Sequence, residues 1–207
     1  MLNIALTKGR TEQDVLPLLK QAGVDTVPIE NKGRKLIFTD RDRYRTILAK
    51  GPDVLTYLNR GSVDIGIVGS DILTEQENDQ PDMLDLQVSK CHFVLASTSA
   101  FNPDTPRRLI IASKYPHITQ TYFDTIGTDV EIIKIEGSVE LAPLIGMADA
   151  IVDIVETGTT LRENHLQVYN RLQDCSAHLV VNRLALKQKR AEVYQLITNL
   201  QKCIQAK

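Results

Sequence analysis

Short runs of β-branched and aliphatic residues alternate with segments of helical periodicity along most of this 207-residue chain. Such alternation is typical of βα units, in which helices cover buried and largely parallel strands. Strands are predicted at 2–6, 35–38, 44–48, 65–68, 93–97, 109–112, 130–135, 150–155 and 178–181. The sequence therefore predicts an α/β fold.

Helical periodicity predicts helices at about 14–22, 51–60, 71–77, 119–126, 139–147 and 185–204. Pro17 fits the first of these only in its first turn, where the missing N–H breaks no hydrogen bond. The last helix has apolar residues at the spacing of one buried face, namely Leu186, Val193, Leu196, Ile197 and Leu200. Because such a face must pack, we expect the tail to return to the first part of the chain.

Charge and hydropathy disfavour two classes of protein. The chain has 24 Lys and Arg residues against 26 Asp and Glu residues, a formal charge of −2, and the two signs are interspersed. Nonspecific nucleic-acid binders need clustered cations that release counterions. No apolar stretch approaches the roughly 18 residues of a membrane-spanning helix, and the N-terminus lacks a signal-peptide pattern. We therefore expect a cytoplasmic protein that binds neither nucleic acid nor membrane.

A Gly-x-x-Asp pattern precedes two apolar strands, at 61–64 and again at 146–149, 85 residues further on. Two similar βα units favour two lobes with a ligand in the cleft between them. We expect one lobe to comprise 1–89 and 175–207 and the other to comprise 90–174.

The strand predicted at 150–155 leads into a small polar loop that opens a helix. Threonine hydroxyls, unhindered backbone N–H groups and the positive end of a helix favour an anion such as a phosphate. The loop consists of Glu156, Thr157, Gly158, Thr159 and Thr160. A capped strand-to-helix turn without any ligand would show the same pattern.

Two acidic residues accompany this strand. Strand periodicity predicts that Asp149 and Asp153 share one face among Ile and Val residues. An ionised carboxylate there needs a compensating partner, which ribose hydroxyls or a substrate with Mg²⁺ would provide. The alternative is an aspartate that caps nearby backbone N–H groups.

Five segments in order resemble the ATP phosphoribosyltransferase family, which catalyses the first step of histidine biosynthesis. They are 5–10 (ALTKGR), 64–71 (DIGIVGSD), 136–143 (EGSVELAP), 146–153 (GMADAIVD) and 156–161 (ETGTTL). The long form of the family continues into a C-terminal regulatory domain, whereas this chain ends at Lys207. The resemblance is therefore to the short form.

This resemblance implies a type II periplasmic-binding-protein-like architecture of two lobes, with the active site between them. It implies a glycosyltransferase of the pentosyltransferase class that moves phosphoribosyl from 5-phosphoribosyl-1-diphosphate to N1 of ATP, releasing diphosphate. Mg²⁺ would enter with the donor, and no metal would be held by the protein alone. Short-form members act with a regulatory subunit related to histidyl-tRNA synthetase, so a hetero-oligomer is expected.

The residues and the resemblance together assign roles. Thr157, Gly158, Thr159 and Thr160 would hold the 5-phosphate, while Asp149 and Asp153 would serve the ribose hydroxyls or stabilise the developing cation. Lys8 and Arg10, expected in a loop after the first strand, would meet the triphosphate or diphosphate. Further substrate-binding candidates are Arg34, Lys50, Gly69, Ser70, Asp71, Glu140 and Glu156. Glu140 fits stabilisation of its own helix start equally well.

Two other functions fit an α/β protein of this kind. One is a noncatalytic two-lobed solute binder or sensor, because fold alone does not decide function. The other is a phosphoribosyltransferase that acts on a free nucleobase. Walker-type and Gly-x-Gly-x-x-Gly loops are absent from the sequence, so ATP is not expected in a P-loop or a Rossmann site.

Overall fold

The computed structural model describes residues 1–41 and 43–206. The chain forms two compact units: unit 1 is Met1–Lys90 with Ser176–Lys207, and unit 2 is Cys91–Cys175. Within the described residues, no helix is both long enough and apolar enough to cross a membrane.

The strands lie close to the predicted positions. In chain order they are β1 (Leu2–Thr7), β2 (Ile37–Asp40), β3 (Tyr44–Ala49), β4 (Ile65–Gly69), β5 (Asp82–Asp85), β6 (Cys91–Ser97), β7 (Leu109–Ser113), β8 (Val130–Lys134), β9 (Ala150–Val155), β10 (Gln167–Cys175) and β11 (Ala177–Val181). The sequence did not predict β5 or β10. Strand β10 has mostly exposed side chains, so it lacks the apolar alternation that marks a half-buried strand.

The helices differ more from expectation. In chain order they are α1 (Arg10–Gln21), α2 (Val27–Glu30), α3 (Gly51–Asn59), α4 (Ser70–Glu75), α5 (Pro116–Thr125), α6 (Leu141–Leu144), α7 (Thr159–Glu163), α8 (Arg183–Gln188) and α9 (Arg190–Gln205). The helix predicted at 139–147 is only the single turn α6, because the chain reverses at Gly146, where φ is +72°.

Each unit contains one mixed sheet. The strand order is β2-β3-β1-β4-β11-β5 in unit 1 and β10-β6-β9-β7-β8 in unit 2. Strands β3, β1 and β4 are parallel, as are β8, β7 and β9, whereas the remaining neighbours pair antiparallel. The α/β class is confirmed, but the expectation of largely parallel strands is wrong. In unit 1 the three parallel strands lie inside the sheet with antiparallel strands on both sides. In unit 2 they form one side of the sheet, which ends at β8, and the antiparallel strands β6 and β10 lie on the other side.

The repeated Gly-x-x-Asp pattern has the same structural role in both sheets. Asp64 precedes β4, and its Oδ2 accepts a hydrogen bond from the backbone N–H of Asn3 on β1 at 2.7 Å. Asp149 precedes β9, and its Oδ2 accepts from the backbone N–H of Ile110 on β7 at 2.8 Å. Each aspartate thus fastens the start of one parallel strand to its neighbour.

Helix α1 begins four residues earlier than predicted and contains Pro17 in its interior. The expectation that Pro17 must lie in the first turn is therefore wrong. Proline removes the hydrogen bond to the carbonyl of Gln13, four residues earlier. Both residues are exposed, so water can satisfy that carbonyl.

The C-terminal tail packs on unit 1 as expected, but as two helices. Asn182 caps α8 by accepting hydrogen bonds from two backbone N–H groups. The helical structure is then interrupted at Lys189, and α9 begins at the next residue. The ammonium of Lys189 contacts both carboxylate oxygens of Asp64. The buried face of α9 consists of Val193, Leu196, Ile197 and Leu200.

Candidate active site

The predicted phosphate loop follows β9, at the edge where the carboxyl ends of the parallel strands β7, β8 and β9 meet. Ligands of open α/β sheets bind at such edges, because loop backbone and helix N-termini converge there. We call this the unit 2 edge. It consists of Lys114 after β7, Glu136 and Glu140 after β8, the last half of β9 and the loop 156–160.

The loop is built around a glycine in the left-handed region. Gly158 has φ +71° and ψ +10° and immediately precedes α7. The hydroxyls of Thr157 and Thr159 lie 3.1 Å apart. The guanidinium of Arg162, one turn into α7, donates to the carbonyl of Thr157 at 2.8 Å and to the hydroxyl of Thr159 at 2.9 Å. Arg162 therefore braces the loop and places a cation beside the threonine hydroxyls.

Asp153 lies on β9, three residues before the loop, and is partly buried. Burial raises the pKa of its carboxyl to about 6. The carboxylate of Glu140 raises this pKa further, whereas a hydrogen bond from the backbone N–H of Ile154 and the charge of Lys114 lower it. Asp153 is therefore a carboxyl group that changes charge near neutral pH, as functional carboxyls often do.

Lys114 was not identified from the sequence, and the sheet register explains why it matters. Ser113 pairs with Val152 in the parallel ladder of β7 and β9. Lys114 is the first residue after β7 and Asp153 is the next position on β9, and the charge of Lys114 lowers the pKa of Asp153, so the two side chains lie near each other. Lys134 pairs with Ser113 from the other side and therefore belongs to the opposite face. It forms an ion pair with Glu136 at 2.9 Å, which lowers the pKa of Glu136.

Asp149 lies at the other end of β9, because the strand begins only at Ala150. Asp149 is therefore outside the strand, and its sharing of a strand face with Asp153 stays a prediction. They are separated by about 13 Å along the strand. Arg107 donates two hydrogen bonds to the Asp149 carboxylate and holds its pKa below the usual range, with Ile110 N–H assisting. A role of Asp149 at the ribose stays a prediction, and these contacts favour a structural role.

The structure gathers most of the other predicted residues at the corresponding edge of unit 1. Thr7 pairs with Ala49, so Lys8 and Lys50 follow adjacent parallel strands, and Lys8 N–H donates to Ala49 O at 2.8 Å. Both lysines are exposed. At the end of β4 and the start of α4 lie Gly69, Ser70 and Asp71. We call this the unit 1 edge.

Two further arginines predicted to bind substrate lie on segments next to these strands. Arg34 lies in a tight turn closed by a hydrogen bond from Lys35 N to Lys32 O at 3.0 Å, just before β2. Arg10 is the first residue of α1 rather than a loop residue. Its guanidinium donates to the carbonyl of Lys90 at 2.8 Å and lies 3.6 Å from Asp14, so it anchors the chain where unit 1 ends.

Within residues 1–41 and 43–206, no group of three or more His, Cys, Asp or Glu side chains could hold a metal ion. The carboxylates of the unit 2 edge are spread over separate segments. A divalent cation at this edge would need substrate oxygens as its main ligands, which is the manner in which Mg²⁺ usually binds phosphate substrates.

Fold and site together define a class: α/β proteins of the type II periplasmic-binding-protein fold that present anion-binding groups at the carboxyl ends of their parallel strands. A periplasmic aliphatic sulphonate binding protein from Escherichia coli shows the same fold, with a TM-score of 0.58 over 98% of this chain and 72% of that chain. The two are only 13% identical. This likeness concerns the fold alone.

Sequence comparison is more specific. The model of the ATP phosphoribosyltransferase family, HisG, matches residues 50–202. An ATP phosphoribosyltransferase of Lacticaseibacillus casei is 67% identical over 97% of this chain and 95% of its own length. A structure described as the HisG:HisZ complex of ATP phosphoribosyl transferase from Thermotoga maritima is 34% identical, with a TM-score of 0.85 and complete coverage of both chains.

The chain belongs to the ATP phosphoribosyltransferase family. The resemblance seen in the five sequence segments is thereby confirmed. Membership in this family of pentosyltransferases of histidine biosynthesis disfavours both the noncatalytic solute binder and the enzyme acting on a free nucleobase.

Proposed function

We propose that this chain is the catalytic subunit of an ATP phosphoribosyltransferase that joins phosphoribosyl to N1 of ATP and releases diphosphate. The observation that carries this proposal is the family match over residues 50–202, which includes all of the unit 2 edge. N1 of the adenine ring already carries a lone pair, so the reaction needs no strong base. Catalysis therefore comes from positioning two anionic substrates and stabilising charge that develops during transfer.

The unit 2 edge is suited to the phosphoribosyl donor. Backbone N–H groups and hydroxyls of Thr157, Gly158, Thr159 and Thr160 would hold the 5-phosphate, and the Arg162 guanidinium would add a cation. Asp153, three residues earlier, would accept hydrogen bonds from the ribose hydroxyls. When ionised, it would also stabilise the positive charge that the ribose acquires as diphosphate leaves.

The unit 1 edge is suited to a polyphosphate. Its exposed cations Lys8, Lys50 and Arg34 follow or flank three strands, and phosphate oxygens are the natural partners of lysine and arginine. Ser70 is hydrogen-bonded within unit 1: its N–H donates to Ser176 O at 2.9 Å, and its hydroxyl accepts from Ser176 N–H at 3.2 Å. We assign Gly69, Ser70 and Asp71 to the shape of this edge rather than to charge recognition.

Mg²⁺ enters this proposal as part of the substrate, bound to the diphosphate of the donor. It would neutralise the leaving group when bound. The protein's contribution is the orientation of the ribose and its phosphate by the unit 2 edge.

A regulatory partner is the second part of the proposal. The Thermotoga maritima structure is described as a HisG:HisZ complex, and its matched chain aligns with this chain over the full length of both. We propose that this chain likewise assembles with a separate regulatory subunit related to histidyl-tRNA synthetase, as a hetero-oligomer in the cytoplasm. On this proposal, histidine inhibits the assembly but not the purified chain.

An activity assay separates the proposal from its alternatives. The chain is combined with its regulatory subunit, 5-phosphoribosyl-1-diphosphate and Mg²⁺, and diphosphate release is measured with ATP or with free nucleobases. Release with ATP, accompanied by phosphoribosyl-ATP, is the expected result. Turnover with a free base alone would replace the assigned substrate, and binding of ATP without any turnover would favour the sensor.

A further inference from the structure

A buried carboxylate joins two cationic segments of unit 1. Glu12 is only 4% exposed, although it lies in the first turn of α1. One carboxylate oxygen accepts a hydrogen bond from Gly9 N–H at 3.4 Å. The other oxygen pairs with the ammonium of Lys32, 20 positions further along the chain.

This arrangement is unusual for a glutamate at this helix position. A glutamate in the first turn commonly reaches back to the backbone N–H at the helix start, as Glu12 does to Gly9, but here the second carboxylate oxygen is also paired with a lysine from another segment. Burying the carboxylate has a desolvation cost that an ion pair barely offsets, so the pair is weak evidence for stability. The buried ion pair is better explained by its effect on the positions of the two segments that it joins.

Both ends of the link carry candidate phosphate ligands. Gly9 has φ +92° and lies between Lys8 and Arg10, so its N–H fixes the backbone from which Lys8 emerges. Lys32 opens the tight turn that contains Arg34. Glu12 therefore holds the Lys8 turn and the Arg34 turn in one arrangement.

We propose that Glu12 is a positioning residue for polyphosphate binding, which holds the cations of both turns in place for one phosphate chain. This inference rests on the proposed function, which assigns the unit 1 edge to polyphosphate. The phosphate chain is either the triphosphate of ATP or the diphosphate of the donor, and separate KM values for the two substrates distinguish them.

The test compares variants of Glu12 and Lys32 in the complex with the regulatory subunit. Glu12→Gln keeps the size and the hydrogen bond from Gly9 but removes the charge. We expect a rise in KM of about tenfold for one of the two substrates, with kcat at saturation nearly unchanged. Lys32→Gln removes the other partner of the same ion pair, whose side chain is partly exposed, and should give the same rise. Lys32→Arg keeps the charge and should have the KM of the wild type.

Lys20 supplies a matched control. Its ammonium lies 3.5 Å from Glu30, so this ion pair also links α1 to the segment around α2, but both side chains are exposed. Lys20→Gln should leave both KM values unchanged. A purely structural role of Glu12 predicts a lower melting temperature with unchanged KM values in the folded enzyme.

Unchanged KM values in both Glu12→Gln and Lys32→Gln would overturn the inference, even if both variants melt earlier. Should Glu12→Gln fail to fold, the Lys32 variants decide. If the wild-type complex has no turnover with ATP, the proposed function fails instead. Calorimetric titration of the chain with tripolyphosphate then tests the positioning by itself: weaker binding by Glu12→Gln supports it, and equal or undetectable binding by both proteins contradicts it.

Discussion

The unit 1 edge and the unit 2 edge both lie at the carboxyl ends of parallel strands but carry different sets of side chains. Each lies where three parallel strands end. The unit 1 edge presents the cations Lys8, Lys50 and Arg34, whereas the unit 2 edge presents Asp153 and a threonine loop. On the proposed function, the carboxyl ends of the parallel strands provide the places where the substrates bind, and the residues just after the strands decide which part of a substrate each edge recognises.

Away from these edges, the two sheets are built alike. The strand-fastening aspartates are Asp64 and Asp149, and each has a cation on its carboxylate, Lys189 in unit 1 and Arg107 in unit 2. The two frameworks therefore share a device that concerns stability. Substitutions of these two aspartates should therefore lower stability and leave the kinetic constants of the folded enzyme nearly unchanged.

The largest expected effect comes from Asp153→Asn, which removes the partly buried carboxylate of β9 from the unit 2 edge. If the carboxylate stabilises the developing ribose cation, kcat should fall by about 100-fold or more. Because burial already disfavours the charged form, the neutral amide should be tolerated and the melting temperature should not fall. Steady-state kinetics and thermal denaturation check both statements. Near-normal kcat would remove Asp153 from the reaction.

The pH profile sharpens the same point. Only ionised Asp153 can stabilise a cation, so kcat/KM should fall about tenfold per pH unit below a pKa of about 6, the value raised by burial. The charge of Lys114 lowers this pKa, so Lys114→Gln should move the acidic limb to higher pH. The groups facing Asp153 from other segments are Glu140 and Lys114, with His92 two positions further along the neighbouring strand β6.

Lys134→Gln is the control for this experiment, since Lys134 lies one register position away on the opposite face of the sheet. Its acidic limb should coincide with that of the wild type. Coincident profiles for Lys114→Gln and the wild type would contradict the placement of Lys114 beside Asp153.

A third effect concerns the phosphate loop. Gly158→Val strains a residue with φ +71°, and its Cβ would lie 3.3 Å from the Arg162 guanidinium that braces the loop. We expect a rise of about tenfold in the KM for the donor, with a smaller change for ATP.

Gly127→Val provides the matched control for this effect. It imposes similar strain at φ +68°, but nothing lies within 4 Å of its Cβ and it follows α5, outside both edges. Its melting temperature should drop as in Gly158→Val while the donor KM stays constant. Equal donor KM values in the two variants would count against the loop.

The smallest effect on catalysis is expected for Asp149→Asn, which changes the framework. Loss of the charge at this partly buried hydrogen-bonding site should lower the free energy of unfolding by about 1 kcal/mol. Because the folded-state pKa of Asp149 is lowered, this stabilisation is present at neutral pH and disappears as pH falls through that folded-state pKa. Denaturant melts at pH 7 and in acid check the sign.

Asp64→Asn should also lower the free energy of unfolding, because Asp64 loses its ion pair with Lys189, and kcat/KM of the folded enzyme should change little in either variant. A large loss of kcat in Asp149→Asn, but not in Asp64→Asn, would mean that Asp149 acts on the reacting ribose. The two aspartates would then not have the same role in their units.

The sequence predicted the buried parallel strands most accurately. Strand β9 has the predicted bounds, Ala150–Val155, because its apolar run is framed by acidic residues. Edge strands were harder to predict. Strand β10 pairs only with β6 and exposes most of its side chains, so backbone hydrogen bonding rather than burial fixes it.

The local sequence pattern identified the loop at 156–160, whose phosphate-binding role stays a prediction, but it could not distinguish the roles of the residues around it. Asp149 and Asp153 look equivalent in an alternating pattern, and only the actual start of β9 separates them. Lys114 lies 39 residues before Asp153, so only the register of β7 against β9 brings them together. A helix predicted from residue 159 onward would have placed Arg162 one turn from the loop. This was the signal in the sequence that could have identified Arg162.

The most direct test of the account is a crystal structure of the chain with 5-phosphoribosyl-1-diphosphate bound. The account predicts the 5-phosphate within hydrogen-bonding distance of the backbone N–H groups at 157–160, with the ribose hydroxyls at Asp153. A donor whose 5-phosphate lies at the unit 1 edge, with the threonine loop unoccupied, would contradict it.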